Sequence, residues 1–131
     1  MKTLIASAIL AVGMAGAAAA DPVLGIWKTE VDDGSYAHVE MYSCGERICG
    51  KFARTFNSEG EFQSANLGRK FVWDMAAAGD GTYSHDKSGR IWRPSNDKTY
   101  KAKMTLQSPD TLIVQGCLGP ICPKQTWTRV N

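Results

Sequence analysis

The sequence predicts an all-β protein: a small antiparallel up-and-down β-barrel of about eight strands, made by residues 21–131 as a single domain. Three observations carry this. Short runs of alternating apolar and polar residues recur along the chain, separated by Gly-, Asn-, Asp- and Pro-containing turns, and no stretch shows a convincing amphipathic helical period. Gly25-Ile26-Trp27 in the first run is answered by Trp127-Thr128-Arg129 in the last, so an indole and a guanidinium fall where the ends of a closed barrel would meet. Four cysteines, Cys44, Cys49, Cys117 and Cys122, stand at the necks of two hairpins. A closed barrel of this size is either filled by side chains or holds one small ligand, and closure removes the exposed edges that invite aggregation.

Ahead of this domain, Lys2 precedes an apolar run from Leu4 to Met14 and a series of small residues that ends at Ala20, followed by Asp21-Pro22. A basic start, a short apolar core and small residues at the junction predict a secretory signal over residues 1–20, cleaved between Ala20 and Asp21. The apolar run is too short to span a bilayer comfortably, and no cysteine follows the junction to carry a lipid anchor. The expected location is the periplasm. Without Lys2, 14 basic side chains face 13 acidic ones. Residues 21–66 carry 4 basic and 8 acidic groups, and residues 67–131 carry 10 and 5. Strands of the two halves are expected to neighbour each other, so the imbalance is read as an aid to folding rather than as a basic face. No run of Lys or Arg resembles a polyanion-binding tract, and no nucleic-acid partner is expected.

Taken in order, Leu24 to Val31 reads as the first strand, with Trp27, Thr29 and Val31 on one face. Asp32-Asp33-Gly34 is a hairpin signal. Tyr36 to Cys44 follows, with Ala37, Val39 and Met41 inward and Tyr36, His38, Glu40 and Tyr42 outward. Ile48 to Thr55 is the third strand, with Ile48, Gly50 and Phe52 inward. Residues 56–68 read as loop. Lys70 to Met75 is the fourth strand, Thr82-Tyr83 a short one in a polar stretch, and Arg90 to Arg93 another before Pro94. Thr99 to Gln107 alternates most cleanly, placing Tyr100, Ala102, Met104 and Leu106 together. Thr111 to Cys117 and Lys124 to Val130 complete the set.

An even cysteine count in a small exported domain predicts two disulfides. Parity puts both members of each pair on the outer face. Facing residues of antiparallel strands lie about 4.5–5.5 Å apart at Cα, inside the disulfide range. Bridges Cys44–Cys49 and Cys117–Cys122 are therefore geometrically easy, while cross-hairpin pairing stays open because spacing alone does not set connectivity. The two C-x4-C pairs could in principle make a four-thiolate zinc site, but such sites belong to reducing compartments, so zinc is the weaker use of these residues.

The whole of this domain resembles the bacterial family called domain of unknown function 2147. The resemblance rests on Gly25-Ile26-Trp27-Lys28-Thr29, on Tyr42-Ser43-Cys44-Gly45-Glu46-Arg47-Ile48-Cys49-Gly50-Lys51, on Ile91-Trp92-Arg93-Pro94 with Thr99-Tyr100-Lys101-Ala102, and on Gly116-Cys117-Leu118-Gly119-Pro120-Ile121-Cys122 leading into Trp127-Thr128-Arg129-Val130. Arg93 and Asp97 stand where the family pattern has an acid and a glycine. The resemblance implies export and a calycin-like, lipocalin-like barrel, and it brings no established activity. In such barrels the glycine-x-tryptophan of the first strand and the arginine of the last close one end, which assigns barrel closure to Gly25, Trp27, Trp127 and Arg129. Arginine suits the task because its planar cation stacks on an aromatic face while its donors reach carbonyls.

No catalytic constellation is visible. His38 lies on an outward strand face beside Glu40, and His85-Asp86 occupies a polar loop. There is no glycine-rich phosphate loop and no pair of histidines at metal spacing, and Asp80 and Asp86 do not match a calcium loop. No cofactor, no metal and no enzymatic activity are expected. The large aromatics either fill the core or line a pocket; Phe52, Trp92, Tyr100 and Met104 are the candidate lining residues. The small inward residues Ala37, Gly50 and Ala102 favour some space inside, with Trp27 plugging one end. The function expected is an exported monomeric binding module for a small, mainly apolar molecule. The competing expectation is a protein-interaction module, such as an inhibitor of an envelope hydrolase or protease, on fold-level analogy.

Overall fold

The computed structural model describes residues 20–131, which form ten strands and, among the described residues, no helix. The signal segment expected over residues 1–20 lies outside the described residues except for Ala20. The strands are β1 (Gly25–Lys28), β2 (Tyr36–Cys44), β3 (Arg47–Asn57), β4 (Gly60–Phe62), β5 (Lys70–Met75), β6 (Thr82–Tyr83), β7 (Gly89–Arg93), β8 (Lys98–Ser108), β9 (Thr111–Cys117) and β10 (Lys124–Arg129). Eight of them pair antiparallel in chain order, β1-β2-β3-β5-β7-β8-β9-β10, and β10 returns to β1. That is the closed eight-strand barrel expected. The other two are spurs: β4 pairs with β3, and β6 pairs with β8.

Local chemistry accounts for the departures from strict alternation. Strand β1 stops at Lys28, three residues before the expected Val31, because Thr29 Oγ1 accepts the Ala37 N–H at 3.0 Å and the chain turns away. Asp33 and Gly34 both take positive φ, 54° and 78°, the signature of a tight hairpin turn whose twist matches its strands. Val31 is lifted out to 67% exposure instead of sharing the buried Trp27 face. Residues 56 and 57, expected in a loop, extend β3, and the chain folds back on itself through Asn57-Ser58-Glu59-Gly60. Asn57 Oδ1 accepts the Glu59 N–H and Gly60 takes φ 113°, while Thr55 Oγ1 donates to the Phe62 carbonyl at 2.6 Å.

Along β2, Ala37, Val39 and Met41 are buried, as the pattern predicts. Opposite them, His38 faces Arg54 and Val39 faces Phe52, leaving Ala53 as an extra residue. This bulge turns Arg54 outward and Thr55 inward, where uninterrupted alternation would have done the reverse. A second extra residue, Phe71 in β5, stacks on Phe52 with ring centroids 3.8 Å apart.

Both disulfides form within their hairpins, Cys44–Cys49 and Cys117–Cys122. Their geometry differs. The β9–β10 register puts Cys117 opposite Cys122, with Leu118 facing Ile121 beyond them. In the first hairpin Cys44 faces Arg47 and Cys49 faces Tyr42, so that bridge runs diagonally rather than across a facing pair. Cys49 and Cys117 are buried, not exposed on the outer face as parity implied. Each lies on a strand with neighbours on both sides, where the partner sulfur and adjacent side chains cover it.

Chain order around the ring also corrects the charge expectation. Residues 21–66 make one side of the barrel and residues 67–131 the other, and they meet at the β3–β5 and β10–β1 seams. The two halves therefore segregate, and the excess of lysine in the second half does produce a basic side.

Candidate functional site

The antiparallel path sorts the connections to two ends. The β2–β3, β5–β7 and β8–β9 connections, the lead-in to β1 and the C-terminal residues gather at one end; the β1–β2, β3–β5, β7–β8 and β9–β10 connections ring the other. The first end is sealed. Trp27 is fully buried and its Nε1 donates to the Val23 carbonyl at 2.9 Å. The Arg129 guanidinium lies over the indole, 4.3 Å from the ring centroid. Its donors reach the carbonyls of Pro109 at 2.7 Å, Leu24 at 3.0 Å and Pro22 at 2.5 Å. The charge is thus at the edge of the barrel, stacked and hydrogen-bonded, rather than lost in the interior. Gly25 has a steric reason: a Cβ there would stand 2.5 Å from the Asn131 carbonyl oxygen and 2.8 Å from Arg129 Nη1, and its φ is 129°. Nearby, the Tyr83 hydroxyl donates to Asp21 Oδ1 at 2.6 Å, tying the lead-in to the barrel; burial, and then that carboxylate, push the Tyr83 hydroxyl well above the usual phenol range.

The opposite end is open to a cavity of about 540 Å³. This lies in the size range of small-molecule sites, roughly 300–1,000 Å³. Its floor is aromatic: Phe52 and Phe71 are stacked, and Phe71 sits 6.2 Å from Trp127 between ring centroids. Ala37 and Gly116 contribute wall positions with little bulk, and Ile91 an apolar one. Polar groups gather towards the rim. Gln125, a lining residue, accepts the Trp127 indole N–H through its Oε1 at 2.9 Å.

A salt bridge crosses this mouth. Asp32, in the β1–β2 connection, takes a two-pronged contact from Arg93, the last residue of β7, at 2.9 and 2.7 Å, and Ser95 in the β7–β8 connection adds a hydroxyl at 3.3 Å. In a ring of eight, these connections lie diametrically opposite. The Arg93 hydrogen bonds hold the Asp32 carboxyl below the usual aspartate range, against a smaller opposing effect of burial. Behind the latch, Trp92 donates to Asp97 Oδ1 at 2.8 Å and carries the Arg69 guanidinium 3.4 Å above its ring. Asp97 takes φ 56°, a left-handed position at which glycine is unstrained; here the aspartate side chain gains the indole bond instead.

The structure distributes the sequence-derived residues unevenly. Gly25, Trp27 and Arg129 come together at the sealed end. Trp127, grouped with them in the sequence, lies on the cavity floor. Phe52, Trp92 and Tyr100 line the cavity. Met104 does not: it is wholly buried beside Tyr83, two inward positions deeper along β8 than Tyr100. Of the three small inward residues expected to leave space, Ala37, Gly50 and Ala102, only Ala37 borders the cavity. At Gly50 the room is already taken, since a Cβ would meet Met41 Sδ at 2.8 Å and Val72 Cβ at 3.2 Å. Sequence reasoning missed Phe71, Ile91 and the Asp32–Arg93 latch. Arg93 and Asp97 did carry a signal, as the two departures from the family pattern. The histidines lie apart: His38 packs on Phe56 on the outer face at 4.7 Å, and His85 Nε2 is 2.9 Å from the Met104 carbonyl. Among the described residues no cluster of three potential metal ligands occurs, and no helix is long and apolar enough to cross a membrane.

A family model described as an uncharacterized protein conserved in bacteria (DUF2147) matches residues 25–129. The chain belongs to that family. Among solved structures it is similar to a lipocalin-family protein from the human pathogen Helicobacter pylori, with a TM-score of 0.66 and 18% identity over 83% of each chain. At that identity the likeness concerns the fold, and it agrees with the closed barrel. No curated protein matches the chain significantly.

Proposed function

We propose that this DUF2147 protein is an exported, non-enzymatic binding module that holds one small, mainly apolar molecule in the barrel cavity. The observation that carries this reading is the cavity of about 540 Å³ with an aromatic floor of Phe52, Phe71 and Trp127, sealed below and opening only past a polar rim. Apolar molecules gain by leaving water for such a surface, roughly 25 cal/mol for each Å² buried. The rim amides and hydroxyls supply the few polar contacts that orient a ligand. Export to the periplasm is supported by the residue 1–20 pattern and by two disulfides, which persist in oxidising compartments. The separated histidines support a role without acid–base chemistry.

Native mass spectrometry of undenatured protein, followed by titration with the neutral dye N-phenyl-1-naphthylamine, tests the reading. Binding in a one-to-one ratio is expected, and Gly116→Leu, which inserts bulk between Ile91 and Tyr100, should weaken it at least tenfold. A protein that carries no extra mass and gives the dye no fluorescence gain does not work this way.

A further inference from the structure

We propose that the tip of the β9–β10 hairpin and the adjoining face of β8 form a docking surface for an anionic lipid bilayer. The apolar part is the hairpin tip: Leu118 and Ile121 are 63% and 67% exposed, among the few large hydrophobic side chains so exposed in the described residues. The Leu118–Ile121 bridge and the disulfide behind it hold both on a rigid turn, so presenting them to a bilayer requires no reordering of the chain. The basic part adjoins it. Lys87, Lys98 and Lys101 line an outer groove that ends on Leu118, and Lys124 follows the hairpin.

The lysines of this face carry uncompensated charge, and the ion pairs among the described residues lie elsewhere. Lys51 and Arg54, on β3, are neutralised by Glu40 and Glu61, and Arg93 and Arg129 have Asp32 and Asp110. None of Lys87, Lys98, Lys101 and Lys124 has a carboxylate within ion-pair distance among the described residues. Asp86 and Asp97 flank two of these lysines in sequence, but their carboxylates are engaged by the Ser88 N–H and the Trp92 indole. Free lysines beside an exposed apolar tip match the two layers of an anionic membrane surface, headgroup charge outside and acyl chain beneath. A soluble anion would leave Leu118 and Ile121 in water. Docking this way places the cavity mouth next to the bilayer, yet the inference does not depend on the cavity holding a ligand.

The test is co-sedimentation of the exported full-chain protein with vesicles of equal parts phosphatidylglycerol and phosphatidylcholine, beside pure phosphatidylcholine vesicles. Binding to the anionic vesicles only is expected, falling steeply with added sodium chloride. The Lys98→Gln/Lys101→Gln variant should bind more weakly by roughly fivefold for each lysine removed. Leu118→Ser/Ile121→Ser should lose binding while its tryptophan fluorescence stays unchanged, and Ile121→Ser, outside the cavity lining, should weaken vesicle binding with dye binding unchanged. Absent binding, equal binding to neutral vesicles, or indifference to these variants would overturn the proposal. So would displacement by inorganic phosphate beyond that caused by chloride at equal ionic strength, which would mark a small-anion site instead.

Discussion

The two ends of this barrel are built from the same eight strands and solve opposite problems. At the sealed end, the indole of Trp27, the guanidinium of Arg129 and the missing side chain of Gly25 occupy one volume, and each polar atom of the pair has a backbone partner. At the mouth, polar connections surround the opening, and the Asp32–Arg93 ion pair spans it. The seal is buried packing and therefore stabilises the fold. The latch is a solvent-exposed contact between the β1–β2 connection and the end of β7, and contacts of that kind contribute little stability while restricting motion. The molecule thus separates the place where it holds itself together from the place where it can admit something.

That contrast can be broken most forcefully at Trp27. Trp27→Ala removes a fully buried indole and strips Arg129 of its stacking face, so urea unfolding should show a loss of about 3–5 kcal/mol. The cavity floor keeps its own aromatic residues, and the variant that remains folded should still bind dye at low temperature. If dye binding disappears while the fold survives, the ends are coupled and the contrast fails.

Arg129 sharpens the point. Arg129→Met loses the stacking contact and three charged hydrogen bonds, for an expected cost of about 2 kcal/mol by the same measurement. Arg129→Lys should recover only part of this, because an ammonium cannot serve three divergent carbonyls through a planar fork. Full rescue by lysine would reduce the seal to simple charge.

The smallest effect on stability, and the largest on exchange, is expected at the mouth. Arg93→Ala should leave the melting temperature nearly unchanged, yet stopped-flow dilution should show faster dye entry and release. The pH dependence has a definite sign. Asp32 is held below the ordinary aspartate value of about 3.9, so the latch is fully formed above that value and is lost as pH falls through the lower, folded-state one. Release should therefore be flat from about pH 8 to 5 and accelerate below about 4, with Arg93→Ala fast throughout. A variant whose exchange matches the parent would show that the salt bridge does not gate the cavity.

Much of the sealed end was legible in the chain itself. Gly25, Trp27 and Arg129 occur near its two extremities, and the parity of the last strand turns Arg129 with Trp127 rather than with Thr128. The hairpin turn at Asp33-Gly34 and the inward set Ala37, Val39 and Met41 were equally readable, because a period of two and a left-handed turn are properties of neighbouring residues. The mouth was harder. Asp32 and Arg93 are 61 residues apart, and nothing within either segment requires the other. The bulges at Ala53 and Phe71 were invisible for a related reason. An inserted residue becomes a bulge only against a partner strand whose register is already set, and these two decide that Thr55 turns inward and that Phe71 stacks on Phe52.

The sequence by itself determined the eight barrel strands and their order, though not the β4 spur, through alternating runs, turn residues, cysteines within hairpin reach, and a closing pair in the first and last strands. Those features follow from local sterics and from the burial of every second side chain. Tertiary structure alone decided which space stays empty. Gly50 and Gly116 are both inward-side glycines, yet Met41 and Val72 fill the room beside one, while the other borders the cavity. It likewise decided that the charges segregate into sides and that the latch crosses the mouth. Closing a sheet brings residues together by their position around the ring and their depth along its axis, and neither coordinate is written in the spacing of a single strand.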